Sequence, residues 1–237
     1  MVVSIHQPNY LPWIGFIHKL INSELFVVFD DVQFPMGKNH FGHRTKIRSN
    51  VGDMWLTLQV NGKSSKRTWK DTTFAPSKCL PNHLECVQQF YGKTVGYSEL
   101  YPEILGIYEE YVSMESASLA DFNTDIIIKI CDILEIETTI LRSSELAGLN
   151  SSLHGEEHIM DILKYLGATR YISGTGPGSR RYIEEENFKK SGIELTWQNF
   201  QHPVYTQQFV PFYENLSIVD MLFNVGIDES KKLLYAS

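Results

Sequence analysis

The chain has 237 residues, of which 43% are hydrophobic and 21% charged, an ordinary globular composition long enough for a sizeable core. A formal charge of -7 and a pI near 5.6 argue against a broad nucleic-acid-binding face, which needs clustered Lys and Arg to neutralise phosphates. DNA is therefore not an expected partner, although two local basic stretches stand out, Lys38 to Arg48 and Lys63 to Lys70.

Three cysteines, Cys79, Cys86 and Cys131, cannot complete a disulfide framework, and their spacing matches no zinc signature. Reducing cytoplasm is the expected setting. No basic segment followed by an apolar run opens the chain, and no uninterrupted apolar stretch reaches the roughly 18 residues of a membrane span. A soluble, unprocessed protein without membrane insertion is expected, and there is no internal repeat.

Met1 to Ile5 is apolar and β-branched enough for a first strand, and Pro8 and Pro12 end regular pairing in "SIHQPNYLPW". Trp13 to Ile21 carries apolar residues at helical spacing. Leu25 to Phe29 is the short apolar run of a buried strand, which "FDDVQF" ends with Asp30, Asp31 and Gln33. A strand, helix, strand unit of this kind implies parallel pairing, which brings His6 and Asp30 to one sheet edge. The basic stretch "KNHFGHRTKIRS" reads as a loop, "MWLTLQV" at 54–60 as a third strand, and 61–76 as a polar loop. Between Pro81 and Leu134 three stretches carry apolar residues three and four apart, a helical insertion or flank over about 77–136.

Alternation then returns. "TTILRSS", "RYISG" and "IELTWQNF" read as strands, "GEEHIMDILKYLG" and "RYIEEENFKKSG" as helices stopped by Gly167 and Gly192, and "SIVDMLFNVG" as a last helix between Ser217 and Gly226. The predicted fold class is α/β: a mainly parallel sheet flanked by helices, with a helical middle segment, in a single domain over 1–237.

Candidate chemistry gathers at strand ends, where open α/β sheets bind ligands. His6 is suited to take a proton from an attacking amine or hydroxyl, with Asp30 or Asp31 to orient it; the competing reading is a histidine that caps its own strand. Gln7, Asn9 and Tyr10 share that loop. "SGTGPGSRRY" offers Ser173, Gly174, Thr175, Gly176 and Tyr182, with Arg180 and Arg181, as an anion-binding loop, against the plain reading of a turn. His43 and Arg44 suit a phosphorylated ligand, or form a solvated basic loop. Tyr205, Gln207 and Asp220 close the last unit or cap its helix. A metal site from His6, Asp30, Asp31 and His40 lacks any short ligand spacing, so no bound metal is expected. The cysteines read as packing residues rather than nucleophiles.

"HQPNYLPWIGF", "FVVFDDVQF", Arg44 and Ile47 of "HRTKI", "WLTLQV", "YISGTG" and "LSIVDMLFNVG" together resemble the WbqC-like proteins, nearly end to end. That family is encoded in bacterial O-antigen and other polysaccharide clusters, so the resemblance implies making or decorating a sugar. It also implies transfer of an acyl or aminoacyl group to an amino sugar. The chain departs from the pattern at His43, where an Asn is expected, and in the loop after Gly174, which carries an extra "PGSRR"; both bear on the substrate. The resulting expectation is an acyl or aminoacyl transferase acting on a nucleotide-linked amino sugar. In it, His6 is the base, Asp30 positions it or the amine, Gln7 and Asn9 hold the acyl group, and Arg44 with the Ser173–Gly178 loop takes the diphosphate. The activated acyl donor stays open among a thioester, an adenylate and a charged tRNA. Two alternatives stand beside it: a nucleotidyltransferase-like enzyme that requires magnesium, and a non-catalytic sugar-nucleotide-binding protein.

Overall fold

A computed structural model describes residues 1–35, 40–62 and 66–237. Lys38 and Lys63 of the two basic stretches lie outside the described residues. The chain begins with β1 (Val2–His6), α1 (Ile14–Ile21) and β2 (Leu25–Val28), and β1 and β2 pair in parallel with His6 opposite Val28. All four residues of β2 are buried, as a strand covered on both faces requires. A hairpin follows, β3 (Arg44–Ser49) and β4 (Gly52–Thr57), then the short β5 (Thr73–Phe74).

The middle segment is helical as its periodicity predicts: α2 (Leu80–Tyr91), α3 (Tyr97–Tyr111), then β6 (Ala117–Ser118) paired with β5, and α4 (Leu119–Leu134). The remainder runs β7 (Thr139–Arg142), α5 (Gly155–Tyr165), β8 (Arg170–Ser173), α6 (Pro177–Tyr182), α7 (Glu185–Ser191), β9 (Glu194–Trp197), α8 (Ile218–Val225) and α9 (Ile227–Tyr235).

Five strands form one parallel sheet in the order β7-β2-β1-β8-β9. The chain therefore starts at the centre, builds outward through β2 and β7, and returns to the other side of β1 for β8 and β9. One face of the sheet carries Phe26 and Val28 against Phe16, Ile17 and Leu20 of α1 and Ile126 and Ile130 of α4. The other carries Val3, Ile5, Leu25 and Val27 against Ile162 and Leu163 of α5 and Phe188 of α7. This period-two division puts helices on both faces.

Three elements differ from the sequence reading. The stretch 61–76, read as a polar loop, contains β5 and buries Trp69, Thr72 and Phe74. The basic stretch is half strand: Thr45 and Ile47 turn inward, while Arg44 and Lys46 lie over the ring of Trp55 at 3.6 and 5.2 Å. Long basic side chains covering an aromatic surface hide the alternation from a charge-based reading. "RYIEEENFKKSG" is not one helix, because Ile183 adopts an extended backbone and sends its side chain into the core beside Phe188. Gly167 and Gly192 do end their helices at φ +66° and +74°, where L side chains are strained. Ser217 caps α8 by accepting a hydrogen bond from the Val219 amide.

Phe26 sits at the middle of the first core with no exposed surface. Phe26→Ala is expected to cost about 3–5 kcal/mol by loss of transfer energy and creation of a cavity, measured as a fall in urea-unfolding free energy.

Candidate functional site at the carboxyl edge of the sheet

The strand order reverses between β1 and β8, and at their carboxyl ends the chain forms a cleft of about 1150 Å³. In open parallel sheets a ligand crevice opens at this topological position, since the loops leaving neighbouring strands diverge to opposite faces. The walls come from His6 and Gln7 after β1, Asp31 and Gln33 after β2, Ser143 and Ser144 after β7, His154 and His158 at the start of α5, and Tyr182 of α6. Lys66, Thr68 and Lys70 close one side. A more open depression of about 660 Å³ lies between α5 and α7 and is rimmed by Glu156, Glu157, Asp161 and Glu184. It has no strand-end residues in its walls.

His6 is held by its own neighbour. Its Nδ1–H donates to the Gln7 carbonyl at 2.8 Å, and its ring edge meets Phe16 at 5.0 Å. This bond leaves the lone pair on Nε2. Burial, reinforced by the positive charge of Lys19, pushes the imidazole down to about 3 against the opposing pull of the Gln7 carbonyl, so it is neutral at physiological pH. Lys19 is itself enclosed, donates to the Ile5 carbonyl at 3.0 Å, and is lowered to about 7 by burial.

The two aspartates have separate environments. Asp30 has no exposed surface; Arg142 meets its Oδ2 through Nε at 2.7 Å and Nη2 at 2.6 Å, and Ser144 donates its hydroxyl to Oδ2 and its amide to Oδ1. Asp30 does not orient His6, because its carboxylate is consumed by β7 and the turn that follows. Arg142 reaches on to Asp121 Oδ1 at 2.6 Å, tying α4 to the same knot. Asp31 faces the cleft, accepting from Ser143 Oγ at 2.5 Å and from His158 Nε2 at 2.8 Å. Burial alone would raise its pKa, but the bonds from His158 and Ser143 outweigh that and hold it below the usual carboxylate value.

Of the residues singled out from the sequence, His6, Gln7, Asp31, Gln33 and Tyr182 meet in the cleft, and Asp30 lies directly behind its wall. The others are elsewhere. Tyr10 is buried on the helical side with its hydroxyl on His83 Nδ1 at 2.8 Å and on Tyr108, and Asn9 is buried without lining the cleft. Tyr205 donates to Asp220 Oδ2 at 2.8 Å, and Gln207 pairs with both backbone groups of Tyr213 it can reach, so this pair pins a turn onto α8. Tyr91 completes that buried set, donating to Asp220 Oδ1 at 2.5 Å.

Ser173 is enclosed at the end of β8, and Gly174, Thr175 and Gly176 do not reach the wall, whereas Gly178 and Ser179 do. Arg180 stacks over Trp197 at 3.8 Å instead of pointing into the cleft. His43 and Arg44 stand behind the cleft, on the far side of the segment containing Gln33. Cys79 and Cys131 are buried and Cys86 half-buried, and burial raises all three thiols, that of Cys131 to about 12. Among the described residues no group of three or more His, Cys, Asp or Glu is placed to hold a metal ion.

Sequence reasoning passed over Arg142, Ser143, Ser144, His154 and His158. A signal existed for His158, a histidine on the buried stripe of an amphipathic helix that enters at the sheet edge, and for the polar "RSS" directly after a strand. Lys66 and Lys70 belong to the second basic stretch of the sequence, but nothing local marks their place at the cleft, which depends on a long loop folding back.

The architecture is thus that of a doubly wound α/β protein with a cleft at its switch point. The chain belongs to the WbqC-like protein family, whose model matches residues 7–232. It is also 27% identical to "Uncharacterized protein Rv1507c" of Mycobacterium tuberculosis over 236 residues, covering 98% of this chain and 97% of the relative. No solved structure matches it.

Two outcomes are expected. A group whose folded pKa is depressed below an unfolded value of 6.5 is protonated more readily in the unfolded chain, so His6 contributes stability that is full above pH 6.5 and lost as pH falls toward 3. Imidazole ¹⁵N shifts should show His6 neutral with Nδ1 protonated at pH 5; titration above pH 6 would contradict this environment. Arg142→Leu leaves Asp30 as an uncompensated buried charge and is expected to cost about 3–5 kcal/mol in denaturant unfolding.

Proposed function

We propose that the protein transfers an acyl or aminoacyl group to the amino nitrogen of a nucleotide-linked amino sugar. The observation that carries this reading is His6: a neutral imidazole with its tautomer set by the Gln7 carbonyl, on the wall of a switch-point cleft large enough for a nucleotide-linked sugar and an acyl group. Membership of the WbqC-like family supports a role in building or decorating a polysaccharide.

In this reading the sugar's neutral amine donates a hydrogen bond to His6 Nε2, which aims the nitrogen lone pair at the donor's carbonyl carbon. The C–N bond forms as the carbonyl π pair moves to oxygen, and the nitrogen, now cationic, passes a proton to Nε2. Collapse of the tetrahedral adduct breaks the bond to the leaving group, which takes the electron pair and receives the proton from His6. Gln7, beside His6 on the cleft wall, donates its side-chain amide to the oxyanion in this reading. Lys66 and Lys70 supply positive charge for the substrate diphosphate, a role the sequence had suggested for Arg44 and the glycine loop. An anionic substrate near His6 favours its protonated form and so raises its basicity when the substrate is bound. Asp31, fixed by His158 and Ser143, is suited to a sugar hydroxyl.

The strand order also favours a second reading, nucleotidyl transfer, because nucleotides bind at this edge in many doubly wound sheets. The two separate in one screen. Selective binding raises the melting temperature by mass action. Stabilisation by an amino-sugar nucleotide supports acyl transfer, and stabilisation only by a triphosphate with magnesium supports the alternative. With a substrate in hand, His6→Asn is expected to lower kcat/KM by about 10²-fold or more, while sparing binding if the protein merely holds the sugar nucleotide.

A further inference from the structure

Residues 32–34 and 67–69 form a small antiparallel ribbon: Gln33 and Thr68 are bridged, Phe34 N–H donates to the Arg67 carbonyl at 2.9 Å and Trp69 N–H to the Val32 carbonyl at 3.0 Å. Successive side chains of such a ribbon point to opposite faces. Gln33 and Thr68 line the cleft. Phe34, Arg67 and Trp69 face away and meet the start of β3.

Behind the wall, Phe34 is the hub of a basic and aromatic cluster. Its ring lies 4.8 Å from Trp69, 5.9 Å from His43 and 5.3 Å from the Arg67 guanidinium. Arg44 and Arg67 are both near enough for their charges to depress the His43 imidazole, although burial is the larger cause. Four buried polar atoms here have no hydrogen-bond partner: His43 Nδ1, Arg44 Nε, Arg67 Nε and Trp69 Nε1. Among the described residues Arg67 has a side-chain hydrogen bond only at Nη1, to the Asn61 carbonyl, and Arg44 lies on the face of Trp55. Among the described residues no carboxylate pairs with either arginine.

Buried donors are almost always satisfied, and orphaned ones mark a missing ion or water. Three unpartnered N–H groups, two of them on guanidinium cations with no counter-charge, call for an acceptor that carries negative charge. A tetrahedral oxyanion meets both needs.

We propose that Arg67, Trp69, His43 and Arg44 form a phosphate-binding site on the face of the 32–34/67–69 ribbon opposite the cleft. The site takes the oxyanion either of free phosphate or of a phosphate group belonging to a nucleotide. It does not depend on the transferase reading, since none of its residues lines the cleft.

Four tryptophans give separately assignable indole N–H resonances in the intact protein, so Trp69 can be watched directly. Titration with millimolar inorganic phosphate, and in a second arm with a nucleoside diphosphate, is expected to move the Trp69 Nε1–H signal downfield to saturation. Saturation by phosphate alone identifies free phosphate as sufficient; a response only to the diphosphate assigns the site to a nucleotide. Arg67→Gln should weaken the response by about tenfold or more, whereas His6→Asn should leave it unchanged. Because Arg67→Gln could disturb the ribbon, Arg44→Gln, at the half-buried stack on Trp55 outside the ribbon, is a second variant expected to weaken binding. No movement of Trp69 in either arm, or a response undiminished in both arginine variants, overturns the site. Failure here with a positive cleft screen leaves the transferase reading intact, and the reverse result leaves this site intact.

Discussion

An enclosed carboxylate has to be neutralised and hydrogen-bonded where it stands, and Asp30 imposes that requirement on the carboxyl edge of the sheet. Its partners come from one short stretch, Arg142 to Ser144, so satisfying it fixes the end of β2 to the end of β7. The same Arg142 carries the tie to Asp121 in the first turn of α4, joining the helical segment to the sheet. Asp31 follows immediately and is left facing the cleft, where Ser143 and His158 hold it. Thus one buried charge sets the geometry in which an adjacent, accessible one is presented.

The division of labour between the two faces of the sheet has the same logic. Even-numbered residues of β1 turn toward α1, so Ser4 is buried against Ser23 and His6 meets Phe16. Val3 and Ile5 turn toward α5. The cleft therefore receives an imidazole from one layer and the Asp31–His158 pair from the other, at the point where the loops part. Lys19 sits beneath this junction on the α1 side, and its charge adds to burial, the larger cause, in making His6 a weak base.

Several polar clusters are structural in character. The Asp220, Tyr91 and Tyr205 set is enclosed between α2, α8 and the turn that Gln207 stabilises, with every carboxylate oxygen engaged. Tyr10, His83 and Tyr108 likewise satisfy one another inside the helical layer. The ribbon behind the cleft wall is different, because among the described residues the Arg44 Nε, Arg67 Nε and Trp69 Nε1 donors are buried there without a hydrogen-bond partner. Saturation by protein partners is what separates a packing device from a binding surface.

Much of the fold was legible in the sequence because it rests on local periodicity. The buried run of β2, the amphipathic stripes of α4 and α5, and the glycine stops at Gly167 and Gly192 each express a rule that acts over a few residues. Parallel pairing of β1 and β2 followed from the helix between them, and with it the shared edge of His6 and Asp30. The sequence by itself thus determined the fold class, the family and the two strand ends that open the cleft. Tertiary structure alone decided which polar residues meet there. Asp30 and Asp31 are chemically equivalent in the chain, yet Arg142 encloses one and His158 presents the other, from positions more than a hundred residues away. Tyr205 and Gln207 carry the same groups a ligand would need, and packing directed them to other partners. Hydrogen-bond satisfaction is a property of the assembled interior, and no local pattern records which donor will reach which acceptor.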